Sequence, residues 1–91
     1  MVLKGKQFYI QEELCDLLSI NKVFLPDTVY YGEDIENAIV EYCDIHQLWH
    51  EKEYLSIHMN NELMTLCDTQ RHIMFLDDLY HIVRPFLVFA T

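Results

Sequence analysis

The sequence predicts an α+β fold, a single domain over residues 1–91 with two to three α-helices packed on a small antiparallel β-sheet. Three observations carry that expectation. One long segment has amphipathic helical spacing, several short segments alternate like strands, and with only two Gly and two Pro the connections between them must be brief. A hydrophobic fraction of 52% with 13% aromatics excludes a disordered chain, and 91 residues suffice for one core but not for two.

The elements follow in order. Lys6 to Ile10 alternates as a strand. From Gln11 to Ser19, Leu14, Leu17 and Leu18 fall at helical spacing, with Glu12 and Glu13 in the first turn, where the helix dipole favours anions. "FLPD" forces an extended turn, because the residue before Pro26 is pushed out of the α region. Gly32 then opens a second helix predicted to run to about His50, its stripe formed by Ile35, Ile39, Tyr42, His46 and Trp49.

Glu53 to Met59 alternates again, with Leu55, Ile57 and Met59 on one face. Asn60 and Asn61 suit a tight hairpin, Glu62 to Leu66 reads as the returning strand, and His72 to Leu76 as the third strand of a meander. Asp77 or Asp78 caps a short last helix that Pro85 interrupts, and the end of the chain fits either a helix or a strand. No internal repeat is evident.

Fifteen Asp and Glu oppose six Lys and Arg, a formal charge of −9. That field repels nucleic acid and anionic lipid and favours a basic partner, with an association rate that falls as salt rises. Cys15, Cys43 and Cys67 are odd in number and lack CxxC spacing, which suits a reducing compartment. No leader pattern or membrane-length apolar run is present, so the expected location is cytoplasmic.

Cys43, His46 and His50 recur along one helix, and His58 or His72 could complete a zinc site. Five histidines spread over helix and strands need no metal, however, and no known ligand spacing is complete. No glycine elbow or oxyanion loop accompanies a Ser or Cys, so an enzyme is not expected. The acids are more informative. Asp27, Glu33, Asp34, Glu36, Glu41, Asp44, Glu51 and Glu53 face the single base Lys52 across one stretch, and Asp34 and Glu41 lie roughly 10 Å apart along a helix, similar to three steps of about 3.4 Å along one DNA strand. A solvated helix face accounts for a few such acids; carboxylates spaced like phosphates are also what a DNA mimic requires. Met59, Met64 and Met74 read first as core, with thioethers that suit an adaptable apolar socket.

The stretch "GKQFYIQEE" resembles the strand leading into the first helix of phage-encoded uracil-DNA glycosylase inhibitors, with Gly-Lys-Gln, two apolar residues and Ile-Gln-Glu. "FLPD", "NNELMTL" and "FLDDLYHIVRPFL" are similar in order and spacing to a second, longer family of such inhibitors. The resemblance implies a protein that fills the DNA groove of the glycosylase in a 1:1 complex, as a monomer when free, with no cofactor, metal, membrane or direct nucleic-acid contact. It further implies that carboxylates replace phosphates while an apolar socket receives the residue the enzyme wedges into the minor groove.

Carried over, Glu12 matches the acid ending the first strand, with Gln11 beside it and Glu13 in the alternative register. Glu33, Asp34 and Glu36 match the acidic start of the second helix in type, and His72 falls near a polar contact position. Ile35, Ile39, Met59 and Met64 are the expected socket. The alternatives are an acidic mimic of DNA directed at another DNA-binding protein, such as a defence nuclease, and a small zinc-binding domain built on Cys43, His46 and His50.

Overall fold

The structure, a computed structural model, describes residues 3–90. It is an α+β fold of four helices and two small antiparallel sheets. Strand β1 (Gln7–Ile10) leads into α1 (Glu12–Leu18), β2 (Val29–Tyr31) into α2 (Gly32–Ile45), β3 (Ser56–His58) into α3 (Asn61–Cys67), and β4 (Ile73–Phe75) into α4 (Leu76–Val83). A 3-10 turn (Arg84–Phe86) then delivers β5 (Leu87–Phe89). The sheets have the orders β2-β1-β5 and β3-β4.

The four strand-to-helix junctions share one construction. Gln11, Tyr31, Asn60 and Phe75 are all extended, with ψ of 153°, 146°, 175° and 144°, and each hands the chain to a helix without a loop. The segments read FYIQEEL, VYYGEDI, IHMNNEL and IMFLDDL. Their last residues, Leu14, Ile35, Leu63 and Leu79, lie in the core at 0%, 0%, 2% and 0% exposure. The acids just before them stay on the first turn, stabilised there by the helix dipole.

The junctions group into two halves. Phe8 pairs with Tyr30 and Tyr9 with Val29 in the first sheet; at the corresponding places Ile57 pairs with Met74 and His58 with Ile73 in the second. Gln7 opposite Tyr31 likewise corresponds to Ser56 opposite Phe75. The chain is therefore a tandem pair of β-α-β-α units with a common register, which corrects the reading that it holds no internal repeat. Only residue type recurs, and the connecting loops differ in length, so the relation shows in pairing rather than in spelling.

Tertiary packing changed several expected elements. Glu62 to Leu66 is not a strand, because Asn60 does not turn a hairpin: at φ −91° it caps α3, its side chain accepting the Leu63 N–H at 2.9 Å. Consequently there is no three-stranded meander, and β4 pairs directly with β3. Helix α2 stops at Ile45, since Gln47 takes a positive φ of 55° and returns Leu48 to the core. Trp49, expected on the helix stripe, instead bridges Ile57. Leu55 also has a positive φ and is half-exposed, which separates it from the inward face of Ile57 and Met59. The chain end resolves to a strand, and α4 starts at Leu76 with Asp77 and Asp78 in its first turn.

The core runs through both halves, from Phe8, Ile10 and Leu14 through Ile35, Ile39 and Tyr42 to Ile57, Leu63, Met74 and Leu79. Burying each large side chain contributes about 1.5–3 kcal/mol. Asn60 also ties the halves together, its Nδ2 donating to the Tyr42 hydroxyl at 2.9 Å. Replacing Asn60 by Ala removes both bonds and is expected to cost about 1–2 kcal/mol in a urea melt, whereas Asn61→Ala, at an exposed helical position, changes stability by less than about 0.5 kcal/mol.

Candidate functional site

The tandem architecture sets α1 beside α3, the first helices of the two halves. Between them lies an open groove of about 620 Å³ lined by Glu13, Asp16, Leu17, Asn61, Glu62, Thr65, Leu66 and Phe86. Leu17 and Leu66 each stand three residues beyond the buried anchor of their helix, so they meet from equivalent positions and form the floor with Phe86. Glu13 and Glu62 are likewise equivalent, one on each rim, and Asp16 adds a third carboxylate; no Lys, Arg or His lines the groove. The result is an apolar floor between acidic walls, suited to an apolar side chain carried on a basic surface.

The start of α1 is held against this groove by the backbone. Gln11 N–H donates to the Phe86 carbonyl at 2.8 Å, which fixes the hinge beside the residue that completes the floor. Gln11, Glu12 and Glu13 are all exposed.

The other nominated acids have different fates. Asp34 is exposed and lines a second hollow with Glu41, whose carboxylate accepts from Asn21 Nδ2 at 2.6 Å. Glu33 is half-buried and accepts the Gly5 N–H at 2.6 Å. Glu36 has 0% exposure, so it is not presented to a partner: Oε2 accepts the Leu3 N–H at 2.7 Å and Oε1 has no hydrogen-bond partner among the described residues. The acidic start of α2 is thus partly an internal clasp.

The nominated socket is mostly core. Ile35, Ile39 and Met59 have 0%, 3% and 6% exposure, because the helical stripe that marks them for a partner is the same stripe that faces the sheets. Met64 is half-buried and shares a shallow hollow with the exposed His72, on the other side of Asn61 and Thr65 from the main groove. The groove is lined in addition by Asp16, Leu17, Glu62, Leu66 and Phe86, which are not among the residues expected from the sequence. The repeated spacing of Glu13 and Leu17 with Glu62 and Leu66 was the available signal.

The zinc candidates do not converge. The His46 ring packs on Tyr42 at 4.3 Å, whereas His50 stacks on His58 at 4.7 Å. His50 Nδ1 accepts from the backbone N–H groups of Lys52 and Glu53, and Cys43 is fully buried. Among the described residues no group of three or more His, Cys, Asp or Glu is arranged to hold a metal ion. Burial, and next Asp44, pushes the Cys43 thiol up to about 12; Cys15 is raised by burial, then by Asp16 and Glu12, and Cys67 by burial. None of the three is an activated nucleophile.

No family model and no curated protein matches the chain. Among the described residues no helix is long and apolar enough to cross a membrane.

The buried thiol has a consequence for pH. Because its folded value lies above the ordinary 9.0, Cys43 favours the fold fully below pH 9.0, and this contribution is lost as the pH rises toward about 12. Tyr42 and Tyr80, both raised chiefly by burial, act in the same direction. Urea melts are expected to show stability falling across that alkaline range, and Cys43→Ala should flatten the decline.

Proposed function

We propose that this protein is a stoichiometric inhibitor of uracil-DNA glycosylase that occupies the enzyme's DNA groove with an acidic, DNA-like surface. The observation that carries the proposal is the α1/α3 groove, with carboxylates on both walls and an open apolar floor, beside the exposed acids of the segment that resembles the inhibitor family. A glycosylase groove is basic because it binds phosphates, and its apolar wedge needs an apolar receptacle. Leu17, Leu66 and Phe86 offer one that is open to solvent, unlike Ile35, Ile39 and Met59.

Pre-ordering supports the same reading. Glu12 and Glu13 stand on the first turn of a helix whose hinge is bonded to Phe86, so their backbones are already placed before a partner arrives. Less conformational freedom is then lost on docking, and the excess of negative charge speeds encounter with a basic surface. Such an inhibitor needs neither uracil nor a metal to act.

The test is a uracil-excision assay with purified glycosylase, a uracil-containing oligonucleotide and this protein titrated against the enzyme. Excision is expected to cease near one inhibitor per enzyme; unchanged excision at large excess overturns the proposal and leaves other DNA-binding proteins as targets to examine. Leu66→Asp, at a half-buried floor position, is expected to weaken binding by roughly 30-fold or more while circular dichroism stays native. The pair Glu13→Gln and Glu62→Gln should slow association and reduce its salt dependence more than it hastens dissociation. An unaltered association rate in that double variant would remove the groove from the contact surface.

A further inference from the structure

We infer that residues 3–6 form a strap that opens as a unit while the sheets and helices stay folded, and that it switches the first turns of α2 between covered and uncovered states. The strap lies against the helix backbone itself. A Cβ on Gly32 would stand 1.8 Å from the Leu3 carbonyl oxygen, so only glycine permits the crossing. Three bonds hold the strap: Leu3 N–H to Glu36 Oε2 at 2.7 Å, Gly5 N–H to Glu33 Oε1 at 2.6 Å, and Gly32 N–H to the Lys6 carbonyl at 2.8 Å. Only one of its side chains, Leu3 at 1% exposure, enters the core; Lys4, Gly5 and Lys6 are exposed.

Glu36 makes this attachment reversible. Its carboxyl lies at 0% exposure with Oε1 unpartnered among the described residues, a costly arrangement in an apolar interior. Lifting the strap loses the Leu3 contacts but admits water to both oxygens, and the second change offsets part of the first. Gly5, at φ +80°, sits between the two anchors and can absorb the backbone rotation. Once the strap lifts, Glu33 and Glu36 join Asp34 as available acids beside the apolar slot vacated by Leu3. The covered state buries the Glu36 carboxyl and engages that of Glu33 behind a segment that itself carries Lys4 and Lys6.

Amide hydrogen exchange followed by NMR on the full chain tests this. Under native conditions the Leu3 and Gly5 amides are expected to exchange at least about tenfold faster than the α2 amides of Ile39 and Tyr42. Gly32→Ala, which favours the helix but blocks the crossing, should strip protection from Leu3 and Gly5 while changing Ile39 and Tyr42 by less than about threefold. Glu36→Gln, which weakens the acceptor without changing its size, should accelerate Leu3 relative to Ile39. Exchange of Leu3 at the rate of Ile39 and Tyr42 in the unmodified protein would overturn the inference, as would a Gly32→Ala chain in which all four amides lose protection together.

Discussion

The rest of the structure depends on the burial of one aliphatic side chain just inside each helix. Leu14, Ile35, Leu63 and Leu79 lie at the end of junctions where an extended residue passes the chain directly into a helical turn. With no loop to relax, strand direction and helix direction are coupled, and the buried residue locks the angle between them. Four short strands of three or four residues would not persist alone. They persist here because they pair into two sheets and bury side chains such as Phe8, Ile10, Ile57 and Met74 in the same core as the helix anchors.

That constraint also determines where the charge goes. A helix beginning at a strand end has its first turn at the protein's surface, and positions preceding the anchor point outward. Acids are favoured there by the unpaired N–H groups of the turn, so Glu12, Glu13, Glu62, Asp77 and Asp78 combine helix stabilisation with an anionic exterior. In α2 the segment at Leu3 to Lys6 crosses Gly32 and draws Glu33, before the anchor, and Glu36, just after it, into hydrogen bonds. The acidic groove arises where α1 and α3, equivalent helices of the two halves, lie side by side, and its matched walls reflect the common register of the sheets.

Local chemistry decides some residues and long-range packing others. Pro26, the acidic first turns and the Ile35, Ile39 and Tyr42 part of the α2 stripe have local causes and appear where expected, whereas the end of α2, at Ile45 rather than near His50, is set by the turn at Gln47. "NNELMTL" shows the limit: its asparagines suit a turn and a helix cap equally, and Asn60 chooses the cap because its side chain also reaches Tyr42, eighteen residues away. Glu36 is a second case. Its charge marks it for the surface like Glu33 and Asp34, yet it lies on the buried side of α2 and, with Leu3 bonded to it, has 0% exposure.

By itself, the sequence determined a single α+β domain with a strongly anionic surface, a long amphipathic second helix and an exposed acidic start to the first, because each depends on periodicity, capping or composition within a few residues. Tertiary structure alone decided that the strands divide into two sheets of matched register, that Ile35, Ile39 and Met59 belong to the core, and that Leu17, Leu66 and Phe86 form the open floor. The physical reason is that an apolar residue at helical spacing carries no mark of what covers it. Whether another element or water lies against it depends on contacts between residues far apart in the chain.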